Sequence, residues 1–368
     1  MDYGEHCQNG WRQYISVSNM ATIKYSNVGI RAMSACVPKG IVYNKDLGYL
    51  IPEEEIQKTI DSIGVRERRI ADMDVCASDL AYKAAVKLME DNSIAPASID
   101  VLLFMSQTAD YRIPATAPLL QDRLGLPIDT MALDLSLGCS GYVFALSTAF
   151  AYASLPDVHR VLLLDGETFS KIVNRHDKVD WPLYGDAATA TLVEKGDFGE
   201  STFILRSDGS GRDAVIIRDG MRNPVTADSL AEKKNENGDI HNGLEVYMDG
   251  MDVFNFAMKR VPKTIKEMAE VTGTTLEEID WLVFHQANRF MTDFFVKKLK
   301  FNPERVPYCI DRYGNTSSTS IPLTIVSELH DKMKDGDRVM MAGFGAGLSW
   351  GVAKVKMNGC KISPVIEY

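Results

Sequence analysis

The feature that most limits what this chain can fold into is an internal repeat. Ile99-Asp-Val-Leu-Leu-Phe104 is echoed by Ile279-Asp-Trp-Leu-Val-Phe284. In each half a helix-like segment follows, then a strand leading into a Gly-X pair, Gly138-Cys139 in the first and Gly314-Asn315 in the second. Each pair opens a small-residue helix start, Ser140-Gly141 or Thr316-Ser317, and each helix leads to an Arg-Val strand, Arg160-Val-Leu-Leu-Leu or Arg338-Val-Met-Met-Ala. Matched landmarks in one order argue for a duplicated βαβ-rich half rather than two unrelated units. Buried parallel strands need helices on both faces. Two such halves sharing a central helix layer predict an α/β fold of five layers, αβαβα, with a pseudo-dyad. The dyad would bring Cys139 and Asn315 to one seam, and His285, directly after the strand ending at Phe284, would point there too.

The rest of the sequence fits this frame. Apolar spacing predicts helices at 79–91, 118–124, 142–154 and 253–271. Strands are expected at 101–105, 130–135, 160–164, 189–193 and 203–205. The Gly-, Asp- and Asn-rich stretch 208–242 reads as a surface excursion. The chain divides into an N-terminal half, 20–195, carrying the candidate nucleophile, and a C-terminal half, 196–368, carrying His285 and Asn315. Residues 1–19 read as an upstream extension outside the fold, with Met20 as the natural start; the competing reading is a loosely tied terminal arm. With 368 residues and a net charge of −10, the chain is a poor candidate for nucleic-acid binding by a general basic field. No run of ~18 uncharged apolar residues predicts a membrane span. Six cysteines without Cys-x-x-Cys spacing fit a cytoplasmic protein and argue against a disulfide scaffold or a zinc site.

Cys139 lies in Leu137-Gly-Cys-Ser-Gly-Tyr142, between a strand and an apolar helix. A cysteine at a helix N-terminus feels the positive end of the dipole, which favours thiolate, and flanking glycines allow close approach. The bland alternative is a small buried hydrophobe. His285 opens His-Gln-Ala-Asn288, and Asn315 lies in Tyr313-Gly-Asn-Thr-Ser-Ser318. Imidazole and amide can both donate to one carbonyl oxygen; the alternatives are a satisfied polar histidine and an ordinary Gly-Asn turn. The Phe344-Gly-Ala-Gly-Leu348 loop can present backbone N–H groups to a substrate, and with the Cys139 N–H could form an oxyanion hole.

These motifs, together with Gly64-Val-Arg-Glu-Arg-Arg69, Tyr184-Gly-Asp186, 248–254 and Gly343-Phe-Gly-Ala-Gly-Leu-Ser-Trp-Gly351, resemble those of the β-ketoacyl-[acyl-carrier-protein] synthase III family of the thiolase superfamily, from Met20 onward. The resemblance implies a decarboxylating Claisen condensation of an acyl primer with malonyl-[acyl-carrier-protein], through a Cys139–His285–Asn315 triad. It implies an oxyanion hole at the backbone of Cys139 and Ala346, no bound cofactor or metal, coenzyme A thioesters as substrates, and a homodimer. Asn315 selects this type, because elongating synthases would carry a second histidine there and thiolases a second cysteine near the C-terminus. Ile113, Tyr184 and Phe344 fall at acyl-pocket positions, with Ile113 reaching across the dimer; its alternative is plain interface packing. Lys178, Arg289, Lys297 and Lys298 are candidates for contacts with coenzyme A or an acidic carrier protein, against simple solvation. The family's Trp and Arg clamp for adenine is absent, because Lys58 and Ser62 stand in those places. Two other readings share these residues: an acyl transferase acting on a small acceptor, and a catalytically silent scaffolding subunit.

Overall fold

The computed structural model describes residues 21–234 and 240–368; the proposed extension 1–19 lies outside them. Two large sheets dominate. The first has seven strands, with its main path ordered Lys361–Ile362, Val28–Val37, Ala187–Lys195, Arg160–Glu167, Val101–Met105, Met131–Leu135. The second has five, ordered Ile23–Tyr25, Ser201–Ser207, Ser349–Met357, Asp337–Gly345, Trp281–Phe284. The duplication is visible in the pairing. Val28–Val37, Ala187–Lys195 and Arg160–Glu167 pair antiparallel in turn, and the last pairs parallel with Val101–Met105. Ser201–Ser207, Ser349–Met357, Asp337–Gly345 and Trp281–Phe284 repeat that sequence of directions. The chain ends cross over: Ile23–Tyr25 joins the second sheet, while Lys361–Ile362 and Ile366–Glu367 join the first.

Helix packing gives the five layers. Helices Gly141–Ala153 and Ser320–Leu329 lie between the sheets, and their Tyr142, Leu146, Ile321 and Leu323 share one core with Leu103 and Val161 of the first sheet and Val283 and Val339 of the second. Helices Ala77–Asp91 and Thr116–Arg123 cover the outer face of the first sheet. Helices Gly250–Thr272 and Arg289–Leu299 cover the outer face of the second. The central helices are apolar nearly all round because both faces meet a sheet. The outer ones carry local start and stop signals. Asp249 caps the first through Met251 N–H (3.0 Å) and Asp252 N–H (2.9 Å), and Gly273 ends it in left-handed conformation. Asn288 caps the second through Met291 N–H at 2.8 Å. Among the described residues no helix is long and apolar enough to cross a membrane.

The structure corrects two expectations. No strand leads into Gly314-Asn315; a short turn Pro303–Arg305 and a helical turn Ile310–Tyr313 take its place. Pro307 lies where that strand would run and has no N–H for a ladder, and Tyr308 instead donates its hydroxyl to Asp293 Oδ1 at 2.8 Å. The excursion 208–242 is also not purely superficial. Its strand Val215–Ile216 pairs with Tyr247–Met248, and Val215 and Met248 reach the cavity described below.

Candidate active site

Cys139, His285 and Asn315 line one cavity of about 80 Å³, together with Tyr184, Phe344 and Ala346. Each arrives from a different element.

Cys139 lies just before helix Gly141–Ala153, in a turn closed by Gly141 N–H to Gly138 O at 2.7 Å. Its neighbour Ser140 bonds to Ser349 Oγ at 2.7 Å, and Ser349 in turn donates to Ala346 O at 2.8 Å. That chain ties the cysteine turn to the Gly-Ala-Gly loop, so the backbones of Cys139 and Ala346 share one wall. The fit leaves no room at Gly345, where a Cβ would stand 2.8 Å from Cys139 Cβ and 3.2 Å from its Sγ. Gly345→Ala is therefore expected to cost about 1–3 kcal/mol in stability through overpacking and to slow acylation of Cys139. A thermal melt and the rate of acyl mass gain check this, and unchanged values would show that the strand end yields.

The thiol is not depressed as the helix-terminus argument expected. Burial pushes it up to about 12, with the Glu167 carboxyl adding to the rise and the Ser317 hydroxyl, 3.8 Å from Sγ, opposing it. Enclosure outweighs the dipole because Cys139 precedes the helix and has no cationic partner contributing to its shift.

His285 follows strand Trp281–Phe284 and anchors by its N–H to Ala342 O at 2.9 Å. Its Nδ1 lies 2.7 Å from Ser320 Oγ, which also accepts the Gln286 N–H at 3.3 Å. Burial lowers the imidazole to about 3, so the ring is neutral at ordinary pH. The Ser320 contact fits either tautomer: a Ser320 hydroxyl that donates to Nδ1 puts the single ring proton on Nε2, and a hydrogen bond to the Ser317 backbone resists the fall in pKa. Phe344 stands edge-on to the ring, centroids 5.3 Å apart, and fixes its plane.

Asn315 is strapped by its N–H to Leu183 O (2.8 Å) and by its carbonyl oxygen, which accepts Gly185 N–H (3.1 Å). Gly314 before it has φ +69°, and a Cβ there would meet Leu183 O at 2.7 Å. The Asn315 Oδ1 accepts Ser317 N–H at 2.9 Å. That bond fixes the amide orientation and leaves its NH₂ as the group offered for donation. The strap itself is rigid: Arg68, fully buried, donates to the carbonyls of Trp181 and, at 3.0 Å, Tyr184. Tyr184 stacks on Phe169 (4.5 Å) and donates to Met248 Sδ at 3.5 Å.

The remaining predicted residues lie elsewhere. Ile113 is 89% exposed and does not line this cavity. Lys178 lines a separate groove of about 340 Å³ with Lys58, Ser62, Glu55 and Ile51. Arg289 is engaged, pairing with Asp293 at 2.9 Å and stacking on Tyr308 at 3.8 Å. Lys298 donates to Met258 O at 2.9 Å, across to the neighbouring helix. Lys297 is exposed in the last turn of Arg289–Leu299. Sequence reading passed over Gln107 and Phe169 in the cavity wall and Ser320 behind the histidine. Ser320 was within reach, five residues after Asn315, whereas Gln107 carries no local signal.

Comparison with known proteins shows the family. The profile of "3-Oxoacyl-[acyl-carrier-protein (ACP)] synthase III" matches residues 133–209, and that of the "3-Oxoacyl-[acyl-carrier-protein (ACP)] synthase III C terminal" matches 254–357. A β-ketoacyl-[acyl-carrier-protein] synthase III of Agrobacterium fabrum is 33% identical over 335 residues, 89% of this chain and 98% of the relative. One from Desulfitobacterium hafniense is 33% identical over 337 residues, 90% of this chain and 98% of the relative. The crystal structure of a 3-oxoacyl-(acyl-carrier protein) synthase from Burkholderia xenovorans superposes with a TM-score of 0.89 at 36% identity, covering 95% of this chain and 99% of that one. With nearly the whole length of these relatives matched and the same five-layer architecture, this chain belongs to the β-ketoacyl-[acyl-carrier-protein] synthase III family.

Proposed function

We propose that this chain condenses an acyl primer with malonyl-[acyl-carrier-protein], releasing CO₂ and a 3-oxoacyl-[acyl-carrier-protein]. The observation that carries this is the convergence of Cys139, His285 and Asn315 on one cavity, with a neutral imidazole and an amide NH₂ as the donors. In the first half-reaction the Cys139 sulfur attacks the thioester carbonyl. The carbonyl oxygen becomes an oxyanion beside the backbone N–H groups of Cys139 and Ala346, and the departing thiol leaves with the proton that Cys139 gives up. In the second, His285 and Asn315 donate to the malonyl thioester oxygen. As the C–COO⁻ bond breaks, its electron pair moves toward that oxygen, then forms the new C–C bond to the acyl carbon. The Cys139 sulfur is expelled as thiolate and takes one proton from solvent. Stabilisation by two fixed donors grows with the charge, so it is concentrated in the transition state. No bound cofactor or metal takes part; coenzyme A enters only as a thioester substrate.

The acyl donor follows from the groove at Lys58, Ser62 and Lys178. Two lysines suit phosphate, and no aromatic ring lines it as an adenine platform. We read the donor as an acyl-carrier protein, or coenzyme A seated by its phosphates alone. With Arg289 and Lys298 engaged inside the chain, Lys297 is the basic residue left for carrier docking. A homodimer fits the edge strand Met131–Leu135, where Met131 and Leu133 are exposed alongside Ile113 and Ile128; Ile113 would then close the partner's acyl pocket with Tyr184 and Phe344. The halves 20–195 and 196–368 are the duplicated units. A cytoplasmic setting suits cysteines that are free thiols among the described residues.

Intact-protein mass spectrometry with matched acyl-CoA and acyl-[acyl-carrier-protein] donors tests this reading. Acyl mass gained faster from the carrier protein supports it. Faster gain from acyl-CoA selects coenzyme A seated by its phosphates as the donor, and no gain from either donor would indicate a silent subunit.

A further inference from the structure

Behind Cys139 lies a buried acidic pair that the condensation scheme does not use. Asp165 and Glu167 are two residues apart at the end of strand Arg160–Glu167, so their side chains leave the same face of the sheet. Both are fully buried, as is Ser318, which lies between them on the loop that carries Asn315 and Ser317. The Ser318 Oγ is 2.6 Å from Asp165 Oδ1 and 3.2 Å from Glu167 Oε1. A serine hydroxyl has one proton and can donate to only one of these oxygens. The second contact is a hydrogen bond only if the carboxyl there carries a proton and donates to Ser318.

The surrounding bonds decide which one. Glu167 accepts Gln107 N–H at 3.0 Å and the Thr108 hydroxyl at 2.7 Å. The Thr108 oxygen in turn accepts Thr168 N–H at 2.9 Å, and its contact with Glu167 is far shorter than its 3.4 Å contact with Ser106 Oγ, so its proton goes to Glu167. Such a set of donors suits a carboxylate. Asp165 has the Ser318 contact alone, and its Oδ2 is buried without a hydrogen-bond partner. A neutral acid tolerates that environment far better than a charged one. The titratable groups that act on or respond to the pair are each other, the Cys139 thiol and the Tyr142 phenol, none of them cationic.

We propose that a proton on Asp165, donated to Ser318, which donates to Glu167, latches the 315–319 loop to the first sheet, making Asp165, Ser318 and Glu167 positioning residues for the condensing step. Burial agrees with this order: it pushes Asp165 well above the usual carboxylate range, and Glu167 only to about 7. Loss of the Asp165 proton at high pH leaves two buried carboxylates sharing one hydroxyl proton, so the loop and its Asn315 donor loosen. The positioning role rests on the condensation proposed above; the proton itself does not.

Infrared difference spectroscopy of the full chain without substrate reads the proton directly. Wild type minus D165N, recorded well above the Glu167 value of about 7 so that Glu167 is ionised, is expected to show the carbonyl band of a protonated carboxylic acid, and wild type minus E167Q is not. Absence of the band, or its loss in E167Q but not in D165N, overturns the assignment. The kinetic arm uses S318A, which removes the link but no group touching substrate. The condensation kcat is expected to fall roughly ten- to a hundredfold, with the KM for malonyl-[acyl-carrier-protein] and the rate of Cys139 acylation little changed. In D165N the amide can still donate to Ser318 but does not titrate, so the alkaline fall in kcat should be lost. An S318A enzyme with full kcat, or a D165N enzyme with the wild-type alkaline limb, overturns the latch. If no condensation is found in wild type, the functional reading fails while the infrared result still stands or falls alone.

Discussion

Cys139→Ala abolishes acyl-enzyme formation and lowers condensation by more than about 10³-fold, because the variant has no nucleophile in the cavity. The measurement is the acyl mass gained on mixing with an acyl thioester: present in wild type, absent in the variant. The other described cysteines do not replace it. Cys36, Cys76, Cys309 and Cys360 do not line the cavity that Cys139 does. The raised Cys139 thiol has its own consequence. Below a pKa near 12 the thiolate fraction grows about tenfold per pH unit, so alkylation by iodoacetamide should climb at that slope between pH 7 and pH 9. A plateau in that window would mean that the helix terminus outweighs burial. Acyl mass on the Cys139→Ala protein would place the nucleophile elsewhere.

His285→Ala and Asn315→Ala separate the two half-reactions. Each removes one donor that the proposed mechanism directs at the malonyl thioester oxygen, so each is expected to lower the condensation kcat by about 10²–10³-fold. Cys139 should still become acylated, since its oxyanion contacts are backbone groups. Rapid-quench measurement of acyl-enzyme and of CO₂ release, on the same samples, checks both halves. Loss of acylation in either variant would make that residue part of the first step. The histidine also sets a pH expectation. Its folded pKa is lowered to about 3 by burial, below the unfolded value of about 6.5. The unfolded chain therefore binds the extra proton between those values. The stability that the neutral ring contributes is present above pH 6.5 and is lost as pH falls toward 3. Catalysis should show no acid limb from His285 at pH 5–7, because the ring stays neutral throughout.

Much of this site was legible in the sequence, for a physical reason: the groups that do chemistry sit at strand ends and helix starts, where short motifs are constrained. The repeat of Ile99–Phe104 in Ile279–Phe284 announced two equivalent sheets, and the pairing directions of the sheets repeat in step. Cys139 and Asn315, which follow the two matched glycines, line one cavity. The strand expected before Gly314 failed because Pro307 removes a ladder donor, a local veto that the symmetry argument ignored. The thiol's direction of shift was misjudged because a dipole can be read from local sequence, whereas enclosure depends on Gly345 and Ser317, which are distant in the chain. Arg289 and Lys298 looked like a docking patch in sequence because nothing local shows that Asp293, Tyr308 and the Met258 carbonyl engage them. The Asp165–Ser318–Glu167 link joins residues about 150 positions apart and had no local signal.

The central claim is that one cavity couples acyl transfer to decarboxylation. The most direct test is to mix pre-formed acyl-Cys139 enzyme with malonyl-[acyl-carrier-protein] labelled in its free carboxyl, and to count CO₂ against 3-oxoacyl product in a single turnover. One CO₂ is expected for each 3-oxoacyl chain formed, at the rate at which the acyl mass leaves Cys139. Discharge of the acyl group to another acceptor with no CO₂ released would contradict it.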